Sequence, residues 1–211
     1  MADYTLTCFA QSGNAYKAAL FLELAGIDWE ARWIDFFKGE HRAPEFVAKN
    51  EYGRVPVLET PDGRVYSESG LILEVLARET GRFGGATQAE RDEILRWILW
   101  DNYAFTSVVA PFRFIATFVP EEKRSQEVLG FLAGRLKPAL KVLDRRLEGR
   151  AFVATDGLSI ADLSLIGYLY YGDELPFDLS EHANVTAWLD RIRAMPDWKG
   201  PYELMPQGPD A

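Results

Sequence analysis

The spacing of apolar residues changes period repeatedly over the first eighty positions of the chain. Tyr4 to Phe9 alternate and are rich in β-prone side chains, Gln11-Ser12-Gly13-Asn14 interrupts them, and Ala15 to Leu24 carries apolar residues at helical spacing up to Gly26. This predicts a strand, a turn and a helix. Trp29 to Phe36 reads as a second strand, Pro44 to Lys49 as a short helix and Val55 to Thr60 as a third strand. Pro61-Asp62-Gly63-Arg64 supplies turn chemistry between Val57-Leu58-Glu59 and Val65-Tyr66, so a hairpin follows. Leu71 to Glu79, entered through Ser69, closes the series as an apolar-faced helix.

The order βαβαββα predicts a four-stranded mixed sheet covered by helices, with two parallel pairs formed through crossovers and one hairpin pair. That is a thioredoxin-like domain over residues 1–80 of an α+β two-domain chain. Three glycines in Gly81 to Ala86 mark residues 81–86 as a linker. Beyond it the period stays helical, which predicts an all-α helical-bundle domain over 87–211. Thr87-Gln88-Ala89-Glu90 is a capping box that starts a helix expected to reach about Val109, with Pro111 bending or ending it. Glu121 to Leu147 reads as a helix kinked at Pro138, its apolar face including Val128, Phe131, Leu136, Leu140 and Leu147. A second capping box, Ser159-Ile160-Ala161-Asp162, sits inside a hydrophobic staple of Leu158 and Leu163, which gives Ser159 and Asp162 a structural role. Ala183 to Met195 predicts the last helix, and the prolines after it an extended tail.

Composition narrows the function. The 211 residues are 48% hydrophobic and 26% charged, the balance of a folded protein. A net charge of −9 opposes nucleic acid and anionic lipid, both of which are bound by neutralising phosphates, so neither is expected as a partner. The N-terminal MADYTLTCFA enters a strand pattern directly, without the basic and apolar regions of a leader, and a cytoplasmic location is expected. One cysteine, Cys8, excludes an internal disulfide, and two histidines make metal chemistry an unexpected role.

Three places carry candidate chemistry. Val55-Pro56 opens a strand; it is either an edge-strand trans proline or, if cis, a site where the Val55 backbone pairs with a peptide-like ligand. Glu68-Ser69 stands before a helix, where Ser69 either caps that helix or donates to a ligand carboxylate while Glu68 takes an ammonium. Ser12 at the first helix is either a plain N-cap or a hydroxyl donor to an anion held there. One such hydrogen bond supplies about 1.5–3 kcal/mol, enough with the helix end to lower a thiol pKa by about two units.

In this order, Ser12 after strand one, Arg54-Val55-Pro56 before strand three, Glu68-Ser69 at the next helix and the Ser159 to Asp162 box in an all-helical second domain resemble the cytosolic glutathione transferases, in a serine-type, bacterial-like form. The resemblance spans nearly the whole chain. It implies that Ser12 activates the glutathione thiol, that Val55 beside cis-Pro56 pairs with the cysteinyl backbone, and that Glu68 and Ser69 bind the γ-glutamyl end. It further implies His41 and Arg54 at the glycyl carboxylate, His41 otherwise being an exposed loop residue, and Asn14 as a neighbour of the thiolate. Cys8, inside the strand, reads as a buried apolar residue. The second domain is expected to supply a pocket for a small hydrophobic electrophile, with Phe105 and Phe112 as its walls. Glutathione is thus the implied co-substrate, without a metal, and a homodimer the implied assembly. The same thiolate would serve a peroxidase, a disulfide reductase or an ether-cleaving enzyme, and a non-catalytic glutathione-binding protein is the remaining alternative.

Overall fold

A computed structural model describes residues 3–209, and they fall into two compact units, Met1–Gly84 with Pro196–Ala211 and Gly85–Met195. In the first unit β1 (Tyr4–Cys8), α1 (Gly13–Leu24), β2 (Trp29–Trp33), α2 (Pro44–Val47), β3 (Val57–Glu59), β4 (Val65–Ser67) and α3 (Ser69–Thr80) follow in the predicted order. The sheet runs β2-β1-β3-β4. Only β1 and β2 are parallel; β3 pairs with β1 antiparallel, Leu58 opposite Leu6, and β4 with β3, Leu58 opposite Tyr66. The second parallel pair expected from sequence is therefore corrected. The four-residue α2 does not carry the chain back along the sheet, so β3 begins at the end where β2 stops and runs the other way.

Leu6 and Cys8 on β1 and Leu58 on β3 are fully buried, as are Ala18, Leu22, Ile72 and Leu76 on α1 and α3. Gly81 ends α3 in the left-handed conformation that a helix C-terminus asks of glycine. The tail departs from the extended form expected of it. Pro201 sits at the first turn of a short helix, α9 (Pro201–Leu204 below), where its missing N–H costs nothing, and Pro201 and Met205 are buried. The segment from Pro196 onward belongs to the first unit and not to the helical one that was drawn over 87–211. Its anchoring bonds explain this: the Ala10 N–H donates to the Pro206 carbonyl at 2.9 Å and the Tyr16 hydroxyl to the Lys199 carbonyl at 2.7 Å.

The second unit holds α4 (Gln88–Trp100), α5 (Thr106–Phe118), α6 (Gln126–Leu147), α7 (Ile160–Leu165) and α8 (Ala183–Arg193), with α9 (Pro201–Leu204) following in the tail. Helix α5 runs through Pro111 instead of ending there, and the break lies upstream in a π-helical turn at Asp101–Phe105. The turn is widened by a buried carboxylate: Asp101 accepts from the Thr106 hydroxyl at 2.7 Å and from Ser164 on α7 at 2.6 Å, and the Thr106 N–H reaches back five residues to the Asp101 carbonyl. On α6 Leu132, Leu136, Leu140, Leu143 and Leu147 are buried, whereas Val128 and Phe131, read as the same face, are exposed. Both capping boxes form. Asp162 accepts from the Ser159 N–H at 3.0 Å, the Ser159 hydroxyl at 2.7 Å, the Val153 N–H at 2.8 Å and the Trp188 indole at 3.0 Å. One side chain thus joins the start of α7, the loop before it and α8. Burial pushes its carboxyl above the usual range against the pull of those donors. Among the described residues no helix is long and apolar enough to cross a membrane.

Candidate functional site

The β1–α1 turn is closed by the Ser12 N–H on the Phe9 carbonyl at 3.0 Å. Ser12 is extended, 7% exposed, and caps α1 by accepting from the Ala15 N–H at 3.2 Å. Capping uses a lone pair of Oγ and leaves donation by its O–H as a separate capacity. The two readings of Ser12 are therefore compatible in one geometry.

Two residues on, half-buried Asn14 accepts from the Ser69 hydroxyl at 3.4 Å, so the first turns of α1 and α3 come together. The first turns of two helices, each of which favours negative charge, are thus linked by one side-chain hydrogen bond. Ser69 does not cap α3, which was one of its expected roles. It is the first residue of the helix, and Glu68 stands at the cap without a side-chain cap bond. Glu68 is exposed and holds φ 68°, ψ 113°, a left-handed backbone that costs a residue with a Cβ roughly 1–3 kcal/mol. That twist turns the chain from β4 into α3 within one residue.

The Val55–Pro56 bond is cis, and Val55 lies two positions before the β3 ladder begins. Val55 packs beside a cluster of Phe9, Ile34, Phe46 and Val57. Arg54 is exposed, its carbonyl accepting from the Asn50 side-chain amide at 2.6 Å. Asn50 also accepts the Tyr52 N–H at 3.1 Å, and its own carbonyl takes the Gly53 N–H at 2.9 Å, so this one buried amide shapes the whole approach to Val55. Sequence reading missed it; the signal was an Asn three residues before a Gly ahead of a strand. Gly53 holds φ 57°, and a Cβ there would sit 3.1 Å from the His41 carbonyl.

His41 is not the exposed loop residue that was one alternative. It is 5% exposed, in the short turn Glu40–Arg42, with its ring stacked on Phe36 at 4.2 Å, and Phe36 stacks in turn on Phe9 at 4.8 Å. Burial, and then the neighbouring Arg42 cation, hold its pKa below the ordinary histidine value, against a hydrogen bond with the Phe36 backbone. The Nδ1 atom is buried without a hydrogen-bond partner. Cys8 is fully enclosed, and burial pushes its thiol up to about 12.

The two rings expected to line an electrophile pocket are both buried. Phe105, in the π-helical turn, is fully buried and stacks on Trp100 at 6.1 Å, and Phe112 is buried against Phe177 at 6.4 Å. The exposed rings of that stretch are Tyr103, 78% exposed, and Phe114, 42% exposed. Helical phase shifts across the π-helical turn, which a constant period cannot anticipate.

Residues 11–79 match the N-terminal domain of glutathione S-transferase, and residues 104–196 match its C-terminal domain. Glutathione S-transferase 1 of Zea mays is 30% identical over 93% of this chain and 94% of its own length. A disulfide-bond oxidoreductase, YfcG of Escherichia coli (strain K12), is 27% identical over 89% of each. Among solved structures, a glutathione S-transferase from Pseudomonas fluorescens superposes with a TM-score of 0.89 at 32% identity, covering 95% of this chain and all of the other.

Proposed function

The chain belongs to the glutathione S-transferase family, and from that premise we propose that it joins the sulfur of glutathione to a small apolar electrophile. The observation that carries this reading is the Ser69–Asn14 hydrogen bond, which sets the N-termini of α1 and α3 side by side with the Ser12 hydroxyl on the same turn. In this reading Val55 pairs with the cysteinyl backbone, Ser69 and Glu68 hold the γ-glutamyl carboxylate and ammonium, and Arg54 meets the glycyl carboxylate. His41, buried with an unpartnered Nδ1, joins Arg54 at that carboxylate in the same reading. The Ser12 hydroxyl donates a hydrogen bond to the sulfur, which favours thiolate over thiol as the thiol proton leaves to solvent. The thiolate attacks the electrophilic carbon; a C–S bond forms, and on a chloroarene the C–Cl bond breaks with loss of chloride.

Replacing the serine hydroxyl tests this. Ser12→Ala is expected to lower kcat/KM for a chloronitrobenzene about tenfold to a hundredfold at pH 6.5, the scale of one charge-assisted hydrogen bond. A variant with the parent rate across pH 6 to 8 passes the role to Asn14.

The resemblance to a disulfide-bond oxidoreductase supports a second reading, glutathione-dependent disulfide reduction. Two glutathiones would be oxidised to their disulfide while the substrate disulfide becomes two thiols. Cys8, enclosed and held protonated, is unsuited to form a mixed disulfide, so both sulfurs would come from glutathione. A homodimer is part of the proposal, supported by exposed Leu95, Leu99 and Tyr103 at intervals of four and by Phe131 on α6. A cytoplasmic setting fits a chain whose one thiol is kept buried.

A further inference from the structure

The turn that carries Ser12 is held by a segment nearly two hundred residues away in sequence. Ala10 is the second residue of the turn closed by the Ser12 N–H on the Phe9 carbonyl, and in that position a backbone N–H points away from the turn's own bond. Strand β1 has ended at Cys8, and Ala10 is fully buried. A buried N–H needs an acceptor. The Pro206 carbonyl provides it at 2.9 Å.

Pro206 is itself fixed by what precedes it. Helix α9 packs on α1 with Pro201 and Met205 buried, the fully buried Tyr16 of α1 donates to the Lys199 carbonyl at 2.7 Å, and Lys199 reaches Glu23 at 2.6 Å. These bonds run along α1 from its outer end to the turn before its first residue.

We propose that the segment 196–209 is a strut for the reacting turn, and that Ala10, Tyr16 and Pro206 are positioning residues for Ser12. The inference rests on the reading of Ser12 as the group that acts on the glutathione sulfur. Without the strut the Ala10 N–H loses its acceptor, the turn loosens, and the Ser12 hydroxyl holds the sulfur less often in its bonded geometry. The defect then has a signature. It weakens as pH rises toward the free thiol value near 8.5, where the thiolate forms unaided.

The test compares the full chain with a chain stopped after Met205, which keeps α9 and removes the Pro206 carbonyl, and with Tyr16→Phe, which keeps the full length. Circular dichroism establishes that each is folded. Amide exchange should accelerate about tenfold at Ala10 to Gly13 in the shortened chain. Its kcat/KM for a chloronitrobenzene should fall about fivefold at pH 6.5, the worth of one main-chain hydrogen bond, and the gap should close above pH 9. Tyr16→Phe should show a smaller defect with the same pH trend. Unchanged exchange, an unchanged rate at pH 6.5 or a loss constant with pH in both variants overturns the strut. Should Ser12→Ala also keep the parent rate, the reading of Ser12 fails with it; a Ser12 defect beside indifferent strut variants condemns the strut alone.

Discussion

Two polar side chains on or beside β1, four residues apart, meet opposite fates. Ser12 lies just past the strand, where a hydroxyl caps the helix and faces its positive end. Cys8 lies within the strand, fully enclosed, with its thiol held protonated well above neutral pH because burial penalises the charged form. Native protein is accordingly expected to resist an aromatic disulfide reagent at pH 8, while protein in denaturant releases one equivalent at once; fast native labelling would show that β1 opens readily. The placement of both residues was legible in the sequence, since strand period and turn composition put them on either side of the boundary. The left-handed backbone of Glu68 and the stacking of His41 on Phe36 were not. Both depend on chain segments brought together from elsewhere.

Among elements, the helices were readable where local chemistry defines their ends, as at Thr87 and Ser159, and misread where tertiary contacts decide. Pro111 has a local meaning, yet the break in the helix follows Asp101, whose carboxylate is drawn toward Ser164 sixty-three residues on. The direction of β3 likewise depends on where its connection runs, which hydrophobic period does not encode. The join between α4 and α6 shows how such contacts act. Glu93 accepts from Arg96 at 2.6 and 2.8 Å, from Arg146 at 2.6 Å and from the Trp97 indole at 3.0 Å. The Arg96 bonds, more than those of Trp97 and Arg146, hold its carboxyl down at about 2, below the value it has in an unfolded chain. A depressed carboxylate stabilises the fold above its unfolded pKa and stops doing so as pH falls through its folded one. Wild type should therefore exceed Glu93→Gln in urea stability by about 1–2 kcal/mol at pH 6, solvent screening included, and the gap should disappear between pH 4.5 and 2. A gap that persists at pH 2 would assign the effect to packing.

At the scale of the molecule, Leu95, Leu99, Tyr103 and Phe131 leave more apolar surface on the helical unit than its own fold uses. Sedimentation at micromolar concentration should give twice the 23.9 kDa chain mass, and Leu99→Glu should lower it. A parent protein sedimenting at the chain mass would remove the homodimer from the proposed function. The division into a mixed α/β unit and a helical unit could be read from the change of period near the Gly81 to Ala86 stretch. The return of the tail to the first unit could not, because four prolines in a short segment look the same whether they hang free or are docked. That return also reorders events at the ribosome. Residues 3–84 emerge first, but the acceptor for the Ala10 N–H is translated only after every helix of the second unit, about 6–24 s later at usual elongation rates. A nascent chain thus has all four strands well before the turn beside Ser12 has its distant acceptor.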